Sequence, residues 1–177
     1  ESYGFLCEDF VRDKDAVSAC AVLAEIAAWA KDQGMSMYQL LQKIYVEYGF
    51  SKEKGISVVK KGKSGAEEIE AMMKHFRENP LKEIAGSKVT YFYDYSTLKG
   101  IDYLENETLT LDMPVTSNVL QFFTEDGTKV SIRPSGTEPK IKFYCEVHSK
   151  VNSVEELDAA DKAATEKIEA IKASLGI

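Results

Sequence analysis

The segment Arg133-Pro134-Ser135-Gly136-Thr137-Glu138-Pro139-Lys140-Ile141-Lys142 puts cations at both ends of a short bend, with two hydroxyls and a glycine between them. The residues on either side alternate in character. Val130 and Ile132 share one face, so Ser131 and Arg133 leave by the other; Ile141, Phe143 and Cys145 are the apolar set of the next run, so Lys142 and Tyr144 point the opposite way. Arg133 and Lys142 are therefore expected on one open face, at the two ends of a tight loop. Ser135 and Thr137 supply hydroxyl donors, and Gly136 frees the backbone amides to turn inward. Such a loop is an anion-binding nest flanked by two cations, and a phosphate dianion is its natural guest. The same residue types also make an ordinary Pro/Gly turn with two solvated basic residues, because short glycine-rich motifs misfire often.

Few other residues invite chemistry. The two histidines, His75 and His148, lie far apart and leave little room for a zinc site or a serine triad. Three cysteines, Cys7, Cys20 and Cys145, are an odd number without close spacing, which encodes neither a disulfide framework nor a CxxC metal site and fits a reducing, cytoplasmic setting. Lys14 is either a ligand contact or a solvated residue beside a helix cap. Met35, Met37, Met72 and Met73 read as packing residues, Trp29 as a core residue, and the basic run from Lys52 to Lys63 as a solvated edge. A net charge of −7 and a pI near 5.0 argue against a nucleic-acid backbone as partner. No apolar run approaches the roughly 20 residues that cross a bilayer, and no secretory signal is expected.

The elements that must position these residues follow from periodicity. Residues 15–33 read as a helix, capped by Asp13 or Asp15 and ended at Gly34, and so apolar nearly all round that burial on several sides is expected, against a sheet of which residues 1–49 hold no strand. Residues 36–48 read as a second helix with a Ser36/Gln39 capping box and an apolar stripe of Met37, Leu40, Leu41, Ile44 and Tyr48. A short strand at 56–59 is followed by a third helix from Ser64, boxed with Glu67 and stopped by Pro80. Lys88–Tyr95 is a strand in which Val89, Tyr91 and Tyr93 alternate with Thr90, Phe92 and Asp94; residues 96–117 read as a long connection. Residues 119–133 form a hairpin around Asp126-Gly127, residues 140–147 a further strand, and residues 153–175 a last helix with a Ser153/Glu156 box. The economical fold is α+β: a mostly antiparallel sheet with two helices on one face, preceded by two helices from the end of an α/β domain. The expected domains are 1–49 and 50–177.

The string RPSGTEPKIKFY, residues 133–144, resembles the phosphate-binding loop in the C-terminal domain of the α-D-phosphohexomutases, the phosphoglucomutase/phosphomannomutase family. Glu1-Ser2-Tyr3-Gly4 followed by Arg12-Asp13-Lys14-Asp15 is similar to that family's third-domain sugar-recognition loop, GEESYG, and the RDKD element after it. The chain begins at a glutamate in what reads as mid-loop, so a fragment is expected: the tail of domain three, then all of a TBP-like domain four.

The resemblance implies that Arg133, Ser135, Gly136, Thr137 and Lys142 hold the substrate phosphate that is not reacting. Many relatives carry arginine where Lys142 stands; lysine keeps the charge and loses the bidentate fork. Ser2 would contact sugar hydroxyls, Glu1 would do so weakly, and Lys14 would lie near substrate phosphate or the reacting oxygen. The implied enzyme interconverts hexose 1-phosphate and 6-phosphate through a phosphoserine and a bisphosphate intermediate, with Mg²⁺ in the full-length protein. Neither the serine loop nor the Mg²⁺ motif is in this chain, so the fragment is expected to bind a phosphorylated hexose without turning it over. Two other readings stand beside it: a non-catalytic module using the loop for a phosphorylated partner, and a structural domain with an inert basic loop.

Overall fold

The computed structural model describes residues 5–8, 13–60 and 62–177. They fall into two units.

In the first unit, the described residues up to Phe50 together with Lys150–Leu157, the helix α1 (Ala16–Asp32) begins at Asp15. That carboxylate accepts from the amides of Val17 at 3.0 Å and Ser18 at 2.9 Å, satisfying two of the donors a helix start leaves open. These bonds, the Ser18 hydroxyl first, hold the Asp15 carboxyl below its ordinary value. Gly34, at φ +72°, lies just past the end. The helix α2 (Met37–Tyr48) carries the expected box: Ser36 Oγ accepts from Gln39 N–H and Gln39 Oε1 accepts from Ser36 N–H. Within the described residues α1 is not buried on several sides. Only Ala19 and Ala30 are buried, whereas Val17, Leu23 and Trp29 are exposed, Trp29 by 52%. Trp29 is therefore not a core residue. On α2 the predicted stripe also faces outward at Met37, Leu41, Ile44 and Tyr48, and Tyr45 turns instead onto the Phe50 ring, 5.0 Å away. A helix pair offers too little surface to cover a stripe that broad.

The second unit holds an eight-stranded sheet: β1 (Phe50–Val59), β2 (Glu83–Ile84), β3 (Ser87–Asp94), β4 (Lys99–Asp102), β5 (Glu107–Thr110), β6 (Leu120–Thr124), β7 (Lys129–Pro134) and β8 (Lys140–Ser149), with Phe50 belonging to the first unit. The order is β1-β8-β7-β6-β3-β4-β5, with β2 on β3. The ladders from β3 to β8 are antiparallel. Phe92, Leu120, Phe122, Val130, Ile132, Ile141, Phe143 and Cys145 make the buried face. The helix α3 (Gly62–Glu78) packs there through Phe76, whose ring meets Phe143 edge-on at 6.2 Å. The helix α4 (Leu157–Leu175, its first residue belonging to the first unit) buries Ala164, Ile168, Ile171 and Leu175; Lys167 pins it to Asp126 at the β6–β7 turn, and Ser174 Oγ accepts from Ala85 N–H. The fold is thus α+β, an antiparallel sheet with two helices on one face.

Several local expectations give way. Residues 96–117 are not a plain connection but contain β4 and β5. A bulge between Val89 and Tyr91 shifts the β3 register, so Val89 is buried with Phe92 and Asp94 rather than beside Tyr91 and Tyr93. The helix α3 starts at Gly62, which places Ser64 inside its first turn and not at the cap. Ser153 makes no side-chain cap bond: Glu156 accepts from Asn152 N–H at 2.8 Å instead, and the 3₁₀ turn Val154–Glu156 precedes α4. The part of the basic run on β1 does lie at a sheet edge. Lys52 pairs with Asp161 at 2.7 Å and Lys60 with Glu68 at 3.0 Å. Charged side chains of this kind blunt an open strand edge.

Candidate functional site

Arg133 and Lys142 are direct cross-strand partners in the β7–β8 ladder, and the bend 135–139 closes the hairpin above them. Partners directly opposite share a face, with Cβ atoms about 5 Å apart. That face is the open one, because the intervening Ile132, Ile141 and Phe143 are fully buried on the other. Like charges directly opposite weaken a ladder. An anion placed between them would offset that repulsion.

The bend is tied from three directions. Ser135 N–H donates to Lys140 O at 2.8 Å, Lys140 N–H to Glu138 O at 2.7 Å, and Lys60 N–H to Pro139 O at 2.9 Å. That last bond hangs the bend on the end of β1. Beside it, Gly65 of α3 lies so near Lys60 that a Cβ would sit 2.6 Å from its carbonyl carbon, closer than any side chain tolerates. Within the bend, Ser135 Oγ accepts from the amides of Thr137 at 3.4 Å and Glu138 at 3.3 Å. The nest amides thus converge on a hydroxyl oxygen, at long distances that a phosphate oxygen can better. Gly136 has no atom within 4 Å of an added Cβ and no positive φ. The bend's own backbone does not require glycine there.

Behind the bend, on its helix side, a cleft of about 560 Å³ separates it from α3, with Met73, Lys74, Arg77, Asn118 and Ser135 in its lining. Arg77 is engaged structurally: Nε donates to Asp94 Oδ2 and Nη2 to Asn118 Oδ1, both at 2.9 Å.

The structure brings Arg133, Ser135, Gly136, Thr137 and Lys142 into one hairpin end. Lys14 belongs to the first unit, is exposed, and stands 4.0 Å from the Asp13 carboxylate. Glu1 and Ser2, like Arg12, lie outside the described residues. His75 is exposed, as is His148, which pairs with Glu146 at 2.6 Å. Two residues of the site escaped the sequence reading. Lys140 is two before Lys142 and so on the same face, and Glu138 forms an ion pair with it. The bond from Lys140, with help from its charge, lowers the Glu138 carboxyl below its ordinary value. Strand alternation extended by one step would have found Lys140.

The family is decided by residues 56–163, which match the model of the phosphoglucomutase/phosphomannomutase C-terminal domain. The chain belongs to this family. A phosphoglucomutase from Staphylococcus haemolyticus is 38% identical over 144 residues, covering 81% of this chain and 26% of that protein. One from Staphylococcus aureus is 41% identical over the same shares. The chain spans about a quarter of the length of the curated relatives it matches. A solved open-form Paramecium phosphoglucomutase, pp63/parafusin, shows a TM-score of 0.45 at 17% identity over 91% of this chain and 28% of that one, too slight a likeness to add to the fold. Among the described residues no helix is long and apolar enough to cross a membrane.

Proposed function

We propose that this chain is the substrate-phosphate-holding end of a cytoplasmic phosphoglucomutase/phosphomannomutase that interconverts hexose 1-phosphate and 6-phosphate. Residues 1–49 are read as the end of its third domain and residues 50–177 as its fourth. The observation that carries this reading is the Arg133–Lys142 cross-strand pair beneath the Ser135-Gly136-Thr137 bend, in a chain of this family. Arg133 and Lys142 take the two sides of the non-reacting phosphate. Ser135 and Thr137 donate hydroxyls, and the amides now held by Ser135 Oγ turn to the phosphate oxygens. A nest of this kind recognises the phosphate rather than the carbon that bears it, which suits an enzyme that must grip its substrate in two orientations. Ser2, with Glu1 weakly, is assigned to the sugar hydroxyls and Lys14 to the neighbourhood of the reacting oxygen.

The phosphoserine and the Mg²⁺ that offsets phosphate charge are assigned to parts of the full-length enzyme beyond this chain. Among the described residues no group of three or more His, Cys, Asp or Glu side chains is placed for a metal, and no step here runs through one. The fragment alone is expected to bind and not to turn over. Charge-assisted hydrogen bonds contribute roughly 1.5–3 kcal/mol each before ordering costs, which leaves about −4 kcal/mol, or roughly millimolar affinity. Titrating the labelled chain with inorganic phosphate should move the amide resonances of residues 133–142. Arg133→Ala should abolish most of that response and His148→Ala should leave it intact. Static amides throughout, or mutase turnover by the purified chain, would overturn the reading.

A further inference from the structure

We propose that Ser131 and Tyr144 form a sugar-facing subsite beside the phosphate loop: the Ser131 hydroxyl donates to an oxygen of a phosphorylated hexose while the Tyr144 ring lies against the C–H face of the same sugar. The inference rests on the phosphate reading above.

Ser131 and Tyr144 are direct partners in the β7–β8 ladder, on the open face, two residues along from Arg133 and Lys142. Two residues of strand are about 7 Å, and the long Arg and Lys side chains shorten the gap between a phosphate and the next pair along. A hexose joined to a phosphate at Arg133 and Lys142 therefore reaches the Ser131–Tyr144 pair. Both residues are half-buried, exposed enough to be touched and held enough to be ordered.

The polarity of the neighbouring hydrogen bonds points the same way. Tyr95 O–H donates to Gln121 Oε1 at 2.8 Å, and Gln121 Nε2 donates to Ser131 Oγ at 2.9 Å. Gln121 is the cross-strand partner of Ser131 and of Tyr93, so the chain of bonds runs along the open face toward the site. Once Tyr95 occupies the amide oxygen, the amide nitrogen must face Ser131, whose oxygen then accepts. Its own hydrogen is taken by no described residue. The relay delivers a donor beside an aromatic ring and two cations. A sugar offers what matches: oxygens that accept, and a flat apolar face for the ring.

The test compares two probes, glucose 1-phosphate and inorganic phosphate, titrated against the 177-residue chain by amide and aromatic NMR. Glucose 1-phosphate should bind several-fold more tightly than phosphate, move the Tyr144 ring signals and give nuclear Overhauser contacts from sugar ring protons to Tyr144. Tyr144→Ala should weaken glucose 1-phosphate by about fivefold, and Ser131→Ala by about threefold, with phosphate binding unchanged in both; Tyr144→Phe should keep most of the affinity. The wild-type contacts do not depend on how the variants fold. Equal affinity for the two probes, with the Tyr144 ring unmoved, would overturn this inference and leave the phosphate reading standing. No response to either probe would overturn the phosphate reading and this one with it.

Discussion

Glu138 sits where an anion site would least want a carboxylate. Its ion pair with Lys140 neutralises a cation of the open face near the bend, so a phosphate arriving there competes with Glu138 for Lys140. Glu138→Gln should release that ammonium and tighten inorganic phosphate binding by about two- to threefold, measured by the same amide titration. The gain should fade as salt rises, because exposed charges are screened within about 10 Å at 0.1 M. A second residue-scale outcome concerns the thiols. Cys145 is buried and its thiol is pushed up to about 11, whereas Cys7 and Cys20 are exposed. A maleimide or iodoacetamide at pH 8 should label two thiols promptly and the third only on unfolding, since roughly a thousandth of such a thiol is ionised there. Mass spectrometry of the labelled native chain checks the count. At this scale the sequence was informative wherever alternation applied. It placed Arg133, Lys142 and Tyr144 on one face and Cys145 on the other. It could not show that Ser135 Oγ is the atom on which the bend's amides converge, because that depends on a turn geometry residue types do not dictate.

The elements repeat this lesson. The β6–β7 hairpin was legible because Asp126-Gly127 demands a tight turn, and Gly127 adopts φ +81°. The Ser36 box was legible because its two side chains reach only local partners. The four-residue strands β4 and β5 were not, because so short a run acquires its identity from its neighbours. The register decides: Gly100 pairs with Tyr93, and a Cβ there would come 2.7 Å from the Tyr93 ring. Gly100→Ala must displace that ring and should cost about 1–3 kcal/mol in a urea unfolding experiment. The β2–β3 turn offers the opposite case. Ala85 and Gly86 both have positive φ, +50° and +78°, which suits Asn-Gly far better than Ala-Gly. Ala85→Asn should raise stability by about 0.5–1 kcal/mol by the same measurement. Ser153 fails as a cap because Glu156 found Asn152 as a nearer partner.

Across the whole molecule, the two units differ in how completely they bury what they carry. The sheet unit has a closed apolar face under α3 and α4, and the family match, residues 56–163, takes in the end of β1, the other strands and α3 but only the start of α4. The first unit leaves Val17, Leu23, Trp29, Met37, Leu41, Ile44 and Tyr48 in contact with solvent. Periodicity showed that α1 and α2 carry these residues, yet it cannot say which surfaces a chain possesses to cover them. The half-exposed indole of Trp29 has an optical consequence. It is the one tryptophan in the sequence, so emission excited at the red edge of the protein band comes from the first unit alone. A denaturation curve followed at that wavelength would trace the melting of α1 and pass over the sheet in silence, whereas a signal from the tyrosines of β3 would follow the part that carries the loop.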